Sequence, residues 1–96
     1  MTSKQRAYLK SLAMNADTIM NIGKSRLTPE VCTAVSEALE KRELVKIGVL
    51  KNCLDDPKEI AAVMAERTHS QVVQVIGKKI VLYKKRKKDP KIVLLE

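Results

Sequence analysis

A chain of 96 residues can bury one hydrophobic core and not two. Hydrophobic residues make up 45% and charged residues 31%, which excludes a disordered segment, and apolar runs of a handful of residues fall far short of the roughly 20 needed to cross a bilayer. Nineteen lysines and arginines against eleven acids leave a net charge of +8, which favours an anionic partner.

The charge is unevenly spread. Residues 1–28 carry five bases and one acid, residues 29–69 six and eight, and residues 70–96 eight and two. Both ends of the chain are therefore basic and the middle slightly acidic, so a fold that brings the ends together gathers positive charge on one region and leaves an acidic back.

In chain order, Thr2 and Gln5 have the spacing of a helix capping box. Behind them Gln5, Tyr8, Leu9, Leu12, Ala13 and Ala16 form the buried stripe of a first helix, whose opposite side carries Arg6 and Lys10 one turn apart. Asn15 or Asp17 ends it, and Thr18 to Ile22 reads as a short strand. The loop Gly23-Lys24-Ser25-Arg26-Leu27 follows, with Thr28 as cap and Pro29 as first residue of a second helix. Two bases, a glycine and the unpaired amides of a helix N-terminus make this loop a candidate phosphate cradle, although Glu30 in the first turn competes with an anion.

The second helix runs to about Arg42 on Val31, Ala34, Val35, Ala38 and Leu39. Val45, Ile47 and Val49 then alternate with Lys46 and Gly48, which is strand periodicity. Two strands joined by one helix should be parallel, as in a right-handed crossover. Asp56 as cap, Pro57 as first residue and Glu59 completing a capping box open a third helix, with Ile60, Val63, Met64 and Arg67 along one side and Ala61 and Ala65 beside them. Val72 to Ile76 and Ile80 to Tyr83 are β-branched runs joined by Gly77-Lys78-Lys79, a hairpin signal. The order is αβαβαββ: an α/β (α+β) domain with one mixed four-stranded sheet. Beyond it the bases Lys84, Lys85, Arg86, Lys87 and Lys88 start a tail over residues 84–96, with Ile92 to Leu95 apolar enough to dock on the domain or to form a short edge strand.

Little here supports catalysis. His69 is the single histidine and stands in a polar connection; Cys32 and Cys53 lack a nearby base and are read as structural thiols, with one disulfide between them as the formal alternative. Neither the P-loop nor the dinucleotide fingerprint occurs, and no metal, cofactor or small-molecule substrate is expected. With two tyrosines and no tryptophan or phenylalanine, the sheet cannot stack single-stranded bases on an aromatic platform. Contact should come instead from Lys24, Ser25, Arg26 and Gly23 in the loop, from Lys78, Lys79 and the Lys84 to Lys88 run, and from Arg6 and Lys10, all at phosphates. An adaptor that applies the polybasic tail to anionic membranes or acidic proteins is the alternative. Duplex DNA is disfavoured because Glu37 and Glu40 occupy the exposed face of the second helix. The absence of an apolar leader pattern points to the cytoplasm, and a monomer is expected.

Leu9 with Ser11-Leu12-Ala13, Ile22-Gly23-Lys24, Ala38-Leu39-Glu40-Lys41-Arg42-Glu43-Leu44-Val45-Lys46 and Val73-Gln74-Val75-Ile76-Gly77 together resemble the YhbY family, the single-domain bacterial form of the CRM domain (chloroplast RNA splicing and ribosome maturation). The resemblance covers essentially the whole chain. It implies a fold similar to the C-terminal domain of translation initiation factor three and binding to structured RNA. For bacterial members it implies ribosomal RNA in precursors of the large (50S) subunit, and for plant relatives assistance to intron splicing. The family's loop pattern is glycine, two variable residues, glycine, similar to that of KH domains; Arg26 stands here in place of the second glycine and would replace a backbone contact by a charged side chain.

Overall fold

The computed structural model describes residues 2–23, 28–51 and 56–85. Its elements are α1 (Ser3–Met14), β1 (Thr18–Ile22), α2 (Pro29–Arg42), β2 (Leu44–Val49), α3 (Pro57–Thr68), β3 (Gln71–Ile76) and β4 (Lys79–Tyr83), the expected order. The four strands make one sheet in the order β1-β2-β4-β3. β1 and β2 are parallel, because α2 returns the chain to the end where β1 began, and β4 is antiparallel to both of its neighbours.

Local chemistry sets the helix starts. Thr2 Oγ1 accepts from Gln5 N at 3.1 Å while Gln5 Oε1 accepts from Thr2 N at 3.0 Å, so the capping box of α1 closes. Thr28 Oγ1 accepts from Val31 N at 3.2 Å ahead of Pro29. At α3 the expected box does not form. Asp56 Oδ1 accepts from Lys58 N at 3.0 Å, one residue early, and leaves Glu59 in the first turn to complement the helix dipole.

Period-two alternation divides the sheet between two cores. Val45, Ile47 and Val49 of β2 and Ile80 and Leu82 of β4 pack with Val35, Leu39, Ile60, Ala61 and Met64, so α2 and α3 cover one face. Val81 and Tyr83 point the other way, with Val73, Leu9 and Ala13, so α1 alone covers the second face. The helix stripes are rotated from those expected. Tyr8 is 45% exposed at the rim of α1, and α3 buries Ile60, Ala61, Met64, Ala65 and Thr68 while Val63 and Arg67 face out. The reason is that α3 packs on α2 as well as on the sheet, and its small alanines allow the approach. In β3 the register slips between Val72 and Gln74, a bulge centred on Val73. The hairpin turn is Gly77-Lys78, and Gly77 has φ +53°, a conformation that glycine takes without a Cβ clash.

Tyr83 ends β4 with 4% of its surface exposed. Burial, and then the repulsion of the Glu43 carboxylate, hold its phenol above the ordinary value near 10. The folded chain thus keeps that proton longer than the unfolded chain does. Stability should be unaffected by this group below about pH 10 and should fall as pH rises through and beyond that value, by up to about 1.4 kcal/mol per pH unit. Denaturant titrations at pH 7 and pH 11 should show a smaller alkaline loss for Tyr83→Phe than for the parent; equal losses would mean that other groups govern alkaline unfolding.

Candidate nucleic-acid interface

Folding sorts charge by layer. On α2, α3 and their caps stand Glu30, Glu37, Glu40, Glu43, Asp56, Glu59 and Glu66, against Lys41, Arg42, Lys58 and Arg67. The α1 layer carries Lys4, Arg6 and Lys10 with no acid. From the sheet it gains Lys46 and Lys79, which share the face of Val81 because Lys46 pairs with Val81 and Lys79 lies two residues before it. The acidic back expected from the sequence is therefore the α2/α3 layer. Two open depressions of about 260 and 400 Å³ lie there; Glu37 lines both, opposite Arg67 of α3 in the smaller and beside Glu30 in the larger, so the larger one repels phosphate.

The ends of the sheet complete the picture. Leu50 N donates to Ile22 O at 2.8 Å, and Val49 N donates to Lys78 O at 2.7 Å. These two bonds tie the end of β1, the end of β2 and the hairpin turn together. Gly23 is half-buried directly after Ile22, and exposed Lys78 and Lys79 flank the same end of the sheet. Lys24, Ser25 and Arg26, the heart of the expected cradle, lie outside the described residues, as do Arg86, Lys87, Lys88, Cys53 and the apolar residues 92–95. The cradle's two anchors, Gly23 and the capped Thr28, are in place at this end.

One expected grouping is not met. Lys84 and Lys85, the root of the basic tail, follow Tyr83, which pairs with Leu44 at the start of β2, whereas Gly23 adjoins the end of β2. An antiparallel β4 begins where β2 ends, so Lys79 and Lys84 are separated by the length of the strand, about 16 Å at 3.3 Å per residue. Lys84 N donates to Glu43 O at 2.8 Å, beside a buried acid. Gly23 with Lys78 and Lys79, and the tail root Lys84 with Lys85, thus stand at opposite ends of the sheet, with the α1 layer spanning the face between them.

Within that layer the predicted residues differ in availability. Lys10 is exposed. Arg6 Nη1 donates to Val73 O at 3.1 Å and to Val72 O at 3.4 Å, so its guanidinium ties α1 to the bulge of β3 and covers carbonyls of an edge strand. The remaining guanidinium donors can still face a ligand. Among the described residues there is no cluster of His, Cys, Asp and Glu that could hold a metal ion. Cys32 is half-buried on α2, and His69 is the left-handed C-cap of α3, in keeping with its reading as a loop residue.

A CRS1/YhbY (CRM) domain model matches residues 1–84. The chain belongs to the CRM family. It is 39% identical to the Probable RNA-binding protein YqeI of Bacillus subtilis, covering 98% of each chain. An RNA-binding protein of Haemophilus influenzae is 30% identical over 88% of this chain and 85% of its own. The solution structure of the hypothetical protein SAV1595 from Staphylococcus aureus is 44% identical and superposes with a TM-score of 0.83 over 99% of both chains.

Sequence reasoning about this CRM domain missed two residues of the α1 face, Lys46 and Asn21, and the bond that the expected contact residue Lys79 makes there. Lys46, read only as the polar half of an alternation, extends its Nζ to Ala13 O at 3.4 Å and supplies the cation that the last turn of α1 lacks. Lys79 Nζ donates to Thr18 Oγ1 at 3.4 Å, across β2. Asn21 stands directly opposite Gly48 in the β1/β2 ladder. Asparagine and glycine are both poor strand formers, and that local conflict was the available signal.

Proposed function

We propose that this CRM domain is a non-catalytic RNA-binding protein that acts in the cytoplasm on structured ribosomal RNA during large (50S) subunit assembly. The observation that carries the reading is the separation of charge across the sheet, with bases on the α1 face and at the Gly23 end and acids on α2 and α3. A polyanion is thereby attracted to one side and repelled from the other. The RNA-binding names of relatives that match nearly the whole chain support the partner class. The buried position of Tyr83 leaves Tyr8 as the one exposed tyrosine, so affinity comes from phosphate contacts and surface fit rather than from a stacking platform.

The decisive experiment fractionates ribosomal particles from cells at low salt and follows the protein. Cosedimentation with immature large subunits is the expected result. Binding of the purified protein to large-subunit ribosomal RNA should weaken by about 0.7 to 0.9 log units per tenfold rise in salt for each phosphate neutralised. Retention on anionic vesicles in preference to that RNA would overturn the reading and favour an adaptor working through the basic tail.

A further inference from the structure

We propose that Asn21 and Lys79, brought side by side over Gly48, hold one unpaired nucleotide of the bound RNA, with Asn21 reading the base edge and Lys79 taking the adjoining phosphate. The inference rests on the RNA-binding reading above and adds a sequence-selective contact to it.

The face shared with α1 is not covered evenly. Leu9 and Ala13 rest over Val73, Val81 and Tyr83 of β3 and β4. Beyond them, on edge strand β1, Asn21 is exposed. The residue opposite it is Gly48, and a methyl group built there would collide with Asn21 Oδ1 and come within 3.2 Å of Lys79 Nζ. The glycine therefore leaves room for the Asn21 amide to lie across β2 beside the lysine ammonium. Any larger residue at position 48 would separate the two groups. Placing asparagine and glycine opposite each other costs strand stability, and a binding role for the amide accounts for that cost.

The chemistry of the pair is complementary. A carboxamide offers one acceptor and two donors in a plane, the pattern that matches a base edge with two hydrogen bonds. Among the described residues nothing hydrogen-bonds the Asn21 amide. Lys79 has three donors, of which one makes a long 3.4 Å bond to Thr18 Oγ1, leaving the rest for a phosphate. In duplex RNA the deep groove hides base edges from side chains, so the nucleotide must be unpaired. The position is continuous with the candidate cradle: Lys79 follows the turn that Val49 binds, and Leu50 binds Ile22, the residue before Gly23. A strand of RNA held at the Gly23 loop passes this shelf next.

The test is a selection by the full-length protein from a pool of RNA hairpins with ten randomised loop nucleotides, followed by sequencing. The parent protein should enrich one base at one unpaired position by about tenfold. Asn21→Thr, which suits a strand better than the native residue, and Gly48→Ala, which displaces the amide, should each flatten that preference to within about twofold while thermal melts confirm an intact fold. Lys79→Gln should keep the preference, weaken binding to all sequences and lower the salt slope by about 0.7. If the parent binds the pool but selects no base, or if Asn21→Thr and Gly48→Ala keep the preference, the proposal is overturned while RNA binding stands. A parent that binds no hairpin at all overturns the functional reading, and this contact with it.

Discussion

Neutralising the loop (Lys24→Gln with Arg26→Gln) and neutralising the tail (Arg86→Gln, Lys87→Gln and Lys88→Gln) should each weaken binding to large-subunit ribosomal RNA by about tenfold or more at physiological salt, and the combined variant should weaken it by the product of the two factors. The size follows from counterion release: near 0.15 M salt, each phosphate that the protein ceases to neutralise lowers affinity about fivefold. Independence follows from topology. Gly23, where the loop begins, adjoins the end of β2, and Lys84, where the tail begins, adjoins its start, so loop and tail leave the sheet from points a strand length apart and are expected to meet different parts of the ligand. Changes at sites more than about 7 to 10 Å apart with no shared partner generally add in free energy. Filter-binding titrations over a salt series would measure both the affinities and the slopes. A combined variant no weaker than the worse of the two single sets would show that loop and tail compete for one stretch of RNA, and the two-region picture would be wrong.

Glu43 should respond to substitution in an order opposite to that of an ordinary helix position. It is fully buried and has φ 62° with ψ −39°, a sparsely populated positive-φ conformation that a side chain occupies at a cost of about 1 to 3 kcal/mol. Its backbone is held from both sides: Glu43 N donates to Leu39 O at 2.9 Å, closing α2, and Glu43 O accepts from Lys84 N at 2.8 Å, anchoring the end of β4. Glu43→Ala removes the buried side chain's interactions and keeps the backbone strain, a destabilisation of about 2 to 4 kcal/mol. Glu43→Gly removes the same interactions but relaxes the strain, so it should be more stable than the alanine variant by about 1 kcal/mol. Urea denaturation at neutral pH would rank the three proteins. An alanine variant more stable than the glycine variant would contradict the strain argument. Because Glu43 also anchors the root of the basic tail, RNA binding by the alanine variant should be compared with that of the parent at a temperature where both remain folded.

Much of this molecule could be read from its residues in order. Thr2 with Gln5, Thr28 with Pro29, and Asp56 with Pro57 mark three helix starts through bonds that span no more than three residues. The alternation of Val45, Ile47 and Val49 defines a strand face because successive side chains point to opposite sides. Gly77 with Lys78 forms the turn expected between two β-branched runs. All of these are local or periodic properties, and they survive whatever the chain packs against. The helix stripes were less legible. Tyr8, Val63 and Arg67 fall at apolar-face spacing yet face solvent, because the docking angle of α1 on the sheet and of α3 on α2 depends on partners distant in sequence. Arg6 shows the same limit at the site: as an exposed base on a helix it reads as a phosphate contact, and the carbonyls it binds belong to a strand 66 and 67 residues away.

The linear order of amino acids by itself determined the element types, the parallel pairing of β1 with β2, the basic character of both chain ends and the family to which the chain belongs. Only the tertiary structure decided that the expected positive surface divides between two ends of the sheet, and that Asn21, Gly48 and Lys79 meet on one face. The physical reason is common to both. Strand direction and register convert sequence distance into spatial distance, so an antiparallel β4 carries Lys84 away from Gly23 while it brings Lys79, 58 positions from Asn21, to the same glycine.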